Sequence, residues 1–332
     1  MATLFDITLL FLLVAVAIAI VRVRDLFATV MLTGIYGLLS ASFFVSLDAV
    51  DVPFTEAAVG AGIFPLLMLA VISVVGRYEK TPHRRPLISL ALVTLTGIML
   101  FLGTLDMPPF GAPDDPAQQH VAVRYIQDSP TEIGIPNMVT SVLASYRGYD
   151  TLGEVVVIFT AAIGVLAMLA IPLTRSNAES DAPEANMRNH EILRIVSKML
   201  IPLILLFALY VQFHGEYGPG GGFQAGVIFA AEIILYTMLF GLRTATRVIN
   251  PDVLRLLAAL GVLLYGCVGV VSMISGGNFL DYNVLFDNPI TGQHMGILFI
   301  ELGVGITVAS TMILMFFAFA GKTENHREDN PW

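Results

Sequence analysis

The sequence predicts an all-α integral membrane protein with about nine transmembrane helices, its N-terminus outside and its C-terminus in the cytoplasm. The composition points to this class, because 56% of the 332 residues are hydrophobic and only 13% are charged, against about 25% charged in soluble domains. Most of the apolar runs approach the roughly 20 residues that a helix needs to cross about 30 Å of hydrocarbon. The nine runs are residues 4–21, 26–47, 54–75, 87–105, 152–173, 199–213, 223–240, 253–274 and 295–319. The sixth run is short, and its helix is expected to extend back towards Ile195.

The basic residues determine the predicted orientation. Fifteen of the 17 Lys and Arg residues fall in alternate gaps between the runs or at the C-terminal end. Because cytoplasmic loops carry an excess of Lys and Arg, these gaps are predicted to lie in the cytoplasm. Only Arg124 and Arg147 lie in gaps of the other side, which are acidic. This distribution places the N-terminus outside and the C-terminus inside.

Two segments between the runs differ from simple short loops. Residues 176–189 are polar and contain Pro183, so they cannot bury enough apolar surface to fold alone and are predicted to form a cytoplasmic linker. The outer loop, residues 106–150, carries apolar residues at helical spacing between Ile135 and Tyr146. This spacing is typical either of a helix that lies in the membrane interface or of a loop helix that caps the bundle.

Several function classes are excluded or disfavoured. The single Cys267 has no partner for a disulfide framework or a cysteine metal site. The chain contains no nucleophile elbow, paired His/Asp motif or ligand cluster, so no catalytic residue, metal or cofactor is predicted and a membrane enzyme is disfavoured. The net charge of −9 is spread over the loops and does not indicate nucleic-acid binding.

Four acidic residues lie within the apolar runs or at their outer ends, where ionisable groups are costly and are functional candidates. Glu232 is predicted to lie near the bilayer midplane, nine residues from each end of the stretch between Phe223 and Gly241. An acid at that depth can carry a proton or ligate sodium, or it can be a protonated group that bonds a neighbouring helix. Glu56 and Glu154 are predicted near the outer interface, where plain exposure is the alternative to a role in ion transport.

The fourth acid, Glu301, follows His294 by seven residues. On a helix this spacing places the two side chains on nearly the same face, about two turns apart. Since histidine titrates near physiological pH, the pair is a candidate for handing protons inward from the outer surface. The alternative is a histidine at the helix entry and one packed glutamate.

Pro65 lies in the middle of the third run, where it removes a backbone hydrogen bond and is expected to kink or break the helix, aided by Gly60 and Gly62. The freed carbonyl groups must be satisfied by protein or water. The third helix is therefore a candidate for a hydrated or flexing element, although such kinks are often only structural.

A glycine-rich string, HGEYGPGGGF at residues 214–223, joins the sixth run to the seventh. The three consecutive glycines Gly220, Gly221 and Gly222 allow a sharp turn and a close approach to a neighbouring helix. The string is not a nucleotide loop, because the Gly-Lys-Ser/Thr ending is absent. It is predicted to be a hinge or packing element.

Three groups of strings resemble known membrane-protein families. The string VPFTEAAVGAG at residues 52–62 resembles a signature near the end of the large A-type chain of Mrp-type multisubunit Na+/H+ antiporters, and in a small subunit of the related membrane-bound hydrogenases. The string YRGYDTLGE at residues 146–154 is similar to the module that follows in both families. GPGGGF at 218–223, HMG at 294–296 and ELGVG at 301–305 resemble the B-type chain of the antiporters and its hydrogenase counterpart.

The resemblance implies a fused accessory subunit of an ion-translocating complex in the plasma (inner) membrane. Its modules would be residues 1–82, like the end of the A-type chain; 83–175, two helices with the outer loop; and, after the linker, 190–322, like the B-type chain, with a tail at 323–332. Glu56, Glu154 and the glycine-rich string match family motifs. The implied partners are other membrane subunits, including large proton-relay subunits, besides Na+, H+ and the lipid bilayer.

The sequence leaves three functions open. The leading hypothesis is an ion-path and docking subunit of a Mrp-type cation/proton antiporter, without the long lysine and glutamate relay region of the A-type chain. The alternative is a membrane subunit of a redox-driven complex of the membrane-bound hydrogenase type, in which electron transfer supplies the energy. A purely structural scaffold is the third hypothesis.

Overall fold

The computed structural model describes residues 2–79, 86–109, 111–169 and 190–329, and these residues form helices joined by turns and loops, with no β-strand. Nine of their helices are long and apolar enough to cross a membrane, which confirms the predicted class. They are α1 Ala2–Arg22, α2 Leu26–Ser46, α3 Asp51–Val75, α4 Pro86–Thr104, α5 Gly148–Leu169, α6 Glu191–His214, α7 Gly222–Phe240, α8 Pro251–Ile274 and α9 Pro289–Asp329. The predicted linker at 176–189 lies outside the described residues.

The helices begin and end near the bounds of the apolar runs, with two differences. Helix α6 begins at Glu191, further back than the expected Ile195. Helix α5 begins at Gly148, four residues before the apolar run, because the polar residues of the YRGYDTLGE string are already helical. The predicted orientation of the two termini remains a prediction.

Helix α9 forms the centre of the described bundle. It packs against α7, α8, α5 and the second half of α3. Between residues 295 and 319 most positions on every side of it are apolar, as expected for a helix that is covered on most sides. Fully buried residues recur along its length, namely Ile297, Ile300, Val308, Ile313 and Phe317. The B-like segment therefore contains most of the core, and α9 connects it to the preceding helices.

Helices α1, α2 and α3 form a smaller group. Asp25 precedes α2 and accepts hydrogen bonds from the backbone N–H groups of Phe27 and Ala28 at 3.0 and 3.4 Å. The Arg77 guanidinium reaches the same carboxylate, with Nη2 at 2.7 Å from Oδ2. This hydrogen bond holds the pKa of the Asp25 carboxyl below its usual value. Asp25 thus joins the start of α2 to the segment after α3.

Helix α3 changes its hydrogen-bonding pattern in the middle. It is α-helical at Asp51–Glu56, becomes a π-helix at Ala57–Ile63, and continues as an α-helix at Phe64–Val75. Pro65 lies in the first turn of the last part and is buried. A proline lacks the N–H group and crowds the carbonyl one turn before it, and a π-helical turn is one way in which a helix accommodates such a residue. The expected break at Pro65 therefore takes the form of a wider turn within a continuous span.

Helix α4 makes little contact with the rest of the chain. None of the residues in its membrane-spanning window is buried within the described chain. Large side chains are exposed on every side of it, among them Leu90, Val93, Leu95, Met99 and Phe101. Its apolar surface is consequently available to lipid or to another membrane protein.

The outer loop packs onto the bundle. Ile133 and Ile135 are buried, and the short helices Met138–Thr140 and Ser141–Tyr146 follow. The Tyr282 hydroxyl donates to the Ala144 carbonyl at 3.0 Å, so this part of the loop caps the bundle, as one of the two sequence-based alternatives expected. Met138 and Leu143 on the same segment remain exposed.

A cluster of three side chains stabilises the loop. The Tyr146 hydroxyl donates to the Glu132 carboxylate, and Arg124 Nη2 lies 3.1 Å from Glu132 Oε1. The hydrogen bond from Tyr146 and the one from Arg124 both lower the pKa of Glu132. Burial and the bond to Glu132 raise the pKa of Tyr146 to about 12. The loop thus has a fixed fold of its own above the helices.

Candidate functional site

The glycine-rich turn between α6 and α7 encloses the side chain of Glu301. The Gly221 N–H donates to the Val211 carbonyl at 3.0 Å, which folds the turn back onto the end of α6. Gly221 has φ of +117°, a conformation that favours glycine. A Cβ atom at Gly221 would lie 3.1 Å from Glu301 Oε1, and one at Gly215 would lie 3.2 Å from Oε2. The carboxylate therefore lies between two positions that have no side chain.

The helix that follows the turn also needs glycine where it meets α9. A Cβ atom at Gly222 would overlap the backbone carbonyl oxygen of Glu301, and one at Gly226 would lie 2.7 Å from the carbonyl oxygen of Gly305. Small residues at this spacing let two membrane helices approach closely. The contact fixes the position of the turn along α9, level with Glu301. The predicted packing role of Gly222 thus has a specific geometric basis.

Two further carboxylates lie near Glu301. Asp51, at the start of α3, and Glu216, in the turn, both interact electrostatically with it. Among the described residues, none donates a hydrogen bond to the Glu301 carboxylate. Three acidic groups from three different parts of the sequence therefore converge at the end of the bundle that carries the glycine-rich turn, and such a cluster attracts cations.

Asp51 and Asn137 connect the three parts of the chain around this cluster. Asp51 Oδ1 accepts from the Gly220 N–H at 3.3 Å and from Asn137 Nδ2 at 3.4 Å. The same Asn137 amide donates to the carbonyl groups of Gly215 and Gly218, both at 3.0 Å. The turn is thereby held from one side by α3 and from another by the outer loop.

His294 lies next to Glu216, and Glu216 was not among the site residues predicted from the sequence. Its Nδ1 atom is 2.9 Å from Glu216 Oε2. The predicted relay from His294 to Glu301 therefore has a second carboxylate, that of Glu216, beside the histidine. Both side chains of this pair are partly exposed, so the pair is accessible from the outer side of the cluster.

A hydrogen-bonded pair of polar side chains, one of them buried, extends the site towards α3. Gln224 Nε2 donates to Thr55 Oγ1 at 2.7 Å, and Gln224 is only 8% exposed. A Cβ atom at Gly221 would lie 3.5 Å from Gln224 Oε1. Polar oxygens therefore continue from the Glu301 enclosure to Thr55, the residue before Glu56.

Glu56 lies where α3 changes to its π-helical part. A Cβ atom at Gly60 would lie 2.5 Å from Glu56 Oε1, so the carboxylate folds over Gly60. On the opposite side, Gly37 of α2 approaches so closely that its own Cβ atom would lie 2.6 Å from the carbonyl carbon of Gly60. The missing side chain at Gly60 thus gives room to the acid and to α2.

The other two acids lie apart from the enclosure. Glu154 is exposed on α5, and it interacts electrostatically with the buried Tyr265, as Glu301 does. Glu232 is 3% exposed on α7, and its Oε2 atom has no hydrogen-bond partner among the described residues. It lies ten residues after Gly222, about 15 Å further along the helix. The five predicted ion-path residues therefore do not form one cluster.

Sequence reasoning missed four residues of the site, Asp51, Asn137, Glu216 and Gln224. Glu216 stands inside the HGEYGPGGGF string, and Asp51 directly precedes the VPFTEAAVGAG string. Closer attention to polar residues beside these strings could have found both. Asn137 and Gln224 carry no comparable signal, because their role depends on which segments meet in the fold.

The chain matches three family models. Residues 192–314 match MnhB, a domain related to the MnhB subunit of Na+/H+ antiporter, and residues 11–77 and 103–185 match the MBH subunits MbhD and MbhE. Among solved structures, a chain of the Mrp complex from Dietzia sp. DQ12-45-1b has a TM-score of 0.75 at 25% identity, covering 94% of this chain and 34% of that one. A chain of the membrane-bound sulfane sulfur reductase (MBS), an archaeal respiratory membrane complex, has a TM-score of 0.53 at 25% identity. The match covers 71% of this chain and 98% of that one.

Two relatives represent two kinds of match. A probable K(+)/H(+) antiporter A/B-type chain of Rhizobium meliloti (strain 1021) is 26% identical over 323 residues, which cover 88% of this chain and 32% of that protein. This chain thus spans about a third of the length of that relative. The antiporter subunit named mnhB2 of Staphylococcus aureus (strain Newman) is 32% identical over 136 residues, which cover 40% of this chain and 96% of that protein. The chain is a multi-pass membrane protein that belongs to the family of Mrp- and Mnh-type antiporter subunits, as a fused A/B-type subunit.

Proposed function

We propose that the chain is an accessory ion-path and scaffold subunit of a multisubunit Mrp-type cation (Na+)/proton antiporter in the plasma membrane. The observation that carries this proposal is the enclosure of Glu301 by the glycine-rich turn, with Asp51 and Glu216 as charged neighbours. A carboxylate without a hydrogen-bond donor among the described residues, beside two other acids, is suited to exchange a bound proton for a cation. The Mrp and Mnh relatives support the same reaction class.

The outer cluster receives ions first in this proposal. The partly exposed pair His294 and Glu216 takes up a proton or a hydrated cation and passes it to Glu301. Gln224 and Thr55 supply polar oxygens between Glu301 and the start of the π-helical segment that holds Glu56. The wide turn before Pro65 gives α3 room to open or close this connection.

Glu232 serves the deeper part of the path. The distance of about 15 Å along α7 is too long for direct proton transfer from the outer cluster, so water or a side chain of another subunit must bridge it. Glu154 and the uncovered helix α4 face outwards from this chain and are suited to contact those subunits. Large proton-relay subunits are the proposed partners, and this chain is not proposed to catalyse a chemical reaction itself.

The test is cation-induced proton movement in everted membrane vesicles that contain the assembled complex. Glu301→Gln and Glu232→Gln preserve side-chain shape while removing a charge, and we expect most of the Na+- or K+-induced recovery of a pH-sensitive dye to be lost. Glu191→Gln is the matched control, because Glu191 is exposed in the first turn of α6. If the Gln variants of Glu56, Glu154, Glu232 and Glu301 all assemble and all retain wild-type exchange, only a scaffold role remains.

The second candidate is a membrane subunit of a redox-driven complex of the membrane-bound hydrogenase type. The matches of residues 11–77 to MbhD and of residues 103–185 to MbhE favour it, as does the likeness to the sulfane sulfur reductase. Purification through a C-terminal tag, followed by mass spectrometry of the co-purifying chains, separates the two. Large membrane subunits without redox proteins support the antiporter, whereas iron-sulfur or nickel subunits support the redox complex.

A further inference from the structure

A long apolar cleft lies within the B-like segment. Residues of α6, α7, α8 and α9 line it, together with the segment between α7 and α8. Its volume is about 570 Å³, and the lining is almost entirely apolar, including Phe229, Leu257, Leu302 and Ile313. The cleft is partly open, so a ligand dissolved in the membrane can enter it.

The length of the cleft corresponds to one lipid chain. Along α9 it extends from Leu302 to Ile313, eleven residues apart or about 16 Å at helical rise. One leaflet supplies about half of the roughly 30 Å hydrocarbon thickness, which is about 15 Å. At the end near Leu302 the amide of Gln212, whose Nε2 atom has no hydrogen-bond partner in the described chain, ends the apolar stretch and limits the chain length that fits.

The part of the cleft beside the segment between α7 and α8 carries a positive charge. Arg247 lines it from the short helix Leu242–Val248 and has no acidic partner among the described residues. In contrast, the nearby Arg255 does not line the cleft, and its Nη1 atom lies 2.5 Å from Asp252 Oδ1. Arg247 is exposed, so it can meet the phosphate of a lipid whose tail lies in the cleft. Basic residues between membrane helices are typical binding sites for anionic headgroups.

We propose that this cleft binds one acidic phospholipid, with an acyl chain between α6 and α8 and the phosphate on Arg247. The lipid covers the exposed cleft wall and bridges α6 and α8. The cleft adjoins the Glu301 enclosure at Leu302 and Gly226, but the proposal does not depend on the direction or the ion of the antiport.

The experiment measures phospholipid retained by the purified complex. The assembled complex is exchanged into detergent, and bound phospholipid is quantified by mass spectrometry before and after incubation with phosphatidylglycerol or phosphatidylcholine. We expect phosphatidylglycerol to rebind and phosphatidylcholine to rebind weakly. Arg247→Gln removes a charge-assisted hydrogen bond and is expected to weaken phosphatidylglycerol binding by about tenfold or more.

Two further variants make the result specific. Arg255→Gln is the control, because it removes an equal charge one turn into α8 without touching the cleft, and it is expected to bind as the wild type does. Leu257→Trp fills the cleft and is expected to exclude the lipid while Arg247 is retained. Equal lipid retention by the wild type, Arg247→Gln and Leu257→Trp would overturn the proposal, as would a cross-link from the cleft to a helix of another membrane protein in the complex.

Discussion

The close contact between α8 and α9 at Gly261 makes a strong prediction about stability. A Cβ atom at Gly261 would lie 2.5 Å from the Gly303 carbonyl oxygen and 2.9 Å from the Thr307 backbone nitrogen. Ordinary contact begins at 3.4 Å, so Gly261→Ala requires the two helices to separate by about 0.9 Å at this point. Backbone atoms cannot rotate away as a side chain can, so the strain must spread along α8.

The expected cost follows from two opposing effects. Overpacking of this kind costs about 1–3 kcal/mol, while replacing a helical glycine by alanine favours the helix by roughly 0.5–1 kcal/mol. The midpoints of these two ranges give a net loss of about 1 kcal/mol for Gly261→Ala. Gly266 lies on the same helix with no atom within 4 Å of the position of a Cβ atom, so Gly266→Ala keeps only the favourable effect.

The assay is thermal unfolding of the purified complex in detergent, followed by fluorescence-detected size-exclusion chromatography. Gly261→Ala is expected to lower the Tm, and Gly266→Ala to leave it unchanged or raise it. Gly303→Ala tests the contact from the other side, because its Cβ atom would lie 2.7 Å from the Gly261 carbonyl oxygen. If Gly261→Ala and Gly266→Ala have the same Tm, the reasoning from the α8–α9 contact is wrong.

Three further predictions concern the outer loop, the turn and the start of α2. Asn137→Leu removes the two donors to the turn at a cost of about 1–3 kcal/mol, and hydrogen exchange of residues 215–222 is expected to become faster. Tyr146→Phe removes the hydrogen bond to Glu132 and is expected to lower the free energy of unfolding by about 0.5–1 kcal/mol, since the pair is partly exposed. Asp25→Asn removes the partner of Arg77 and is expected to lower the Tm at neutral pH.

The Asp25 effect has a definite pH dependence. The Asp25 carboxyl has a lowered pKa in the folded chain, so the stability that it contributes is fully present above pH 3.8, its usual pKa. That contribution is lost as pH falls through the lowered pKa. The Tm difference between the wild type and Asp25→Asn should therefore shrink in strong acid, and a constant difference would contradict the assignment. For Asn137 and Tyr146, unchanged exchange rates and an unchanged Tm are the contradicting results.

The sequence predicted the helices well because the length of each apolar run, and the basic residues between the runs, are local signals. It also singled out Glu301 and the glycine string, each from its own segment. It could not predict that the string would enclose Glu301, because that depends on the packing of α7 against α9. Asn137 illustrates the limit most clearly, since an asparagine in a loop carries no local sign that its amide will bond to residues about 80 positions away.

The bonds of Asp51 to Gly220 and Asn137 also set an order of events during synthesis. Asp51 and Gly220 are 169 residues apart, and a ribosome adds roughly 5–20 residues each second. The acceptor at the start of α3 therefore waits on the order of 10–30 s for its last donor, at those rates of synthesis. The contacts around Asp51 can be completed only when six membrane helices have been inserted and the turn has emerged. Until then the nascent chain exposes an aspartate that other membrane chains or water must satisfy.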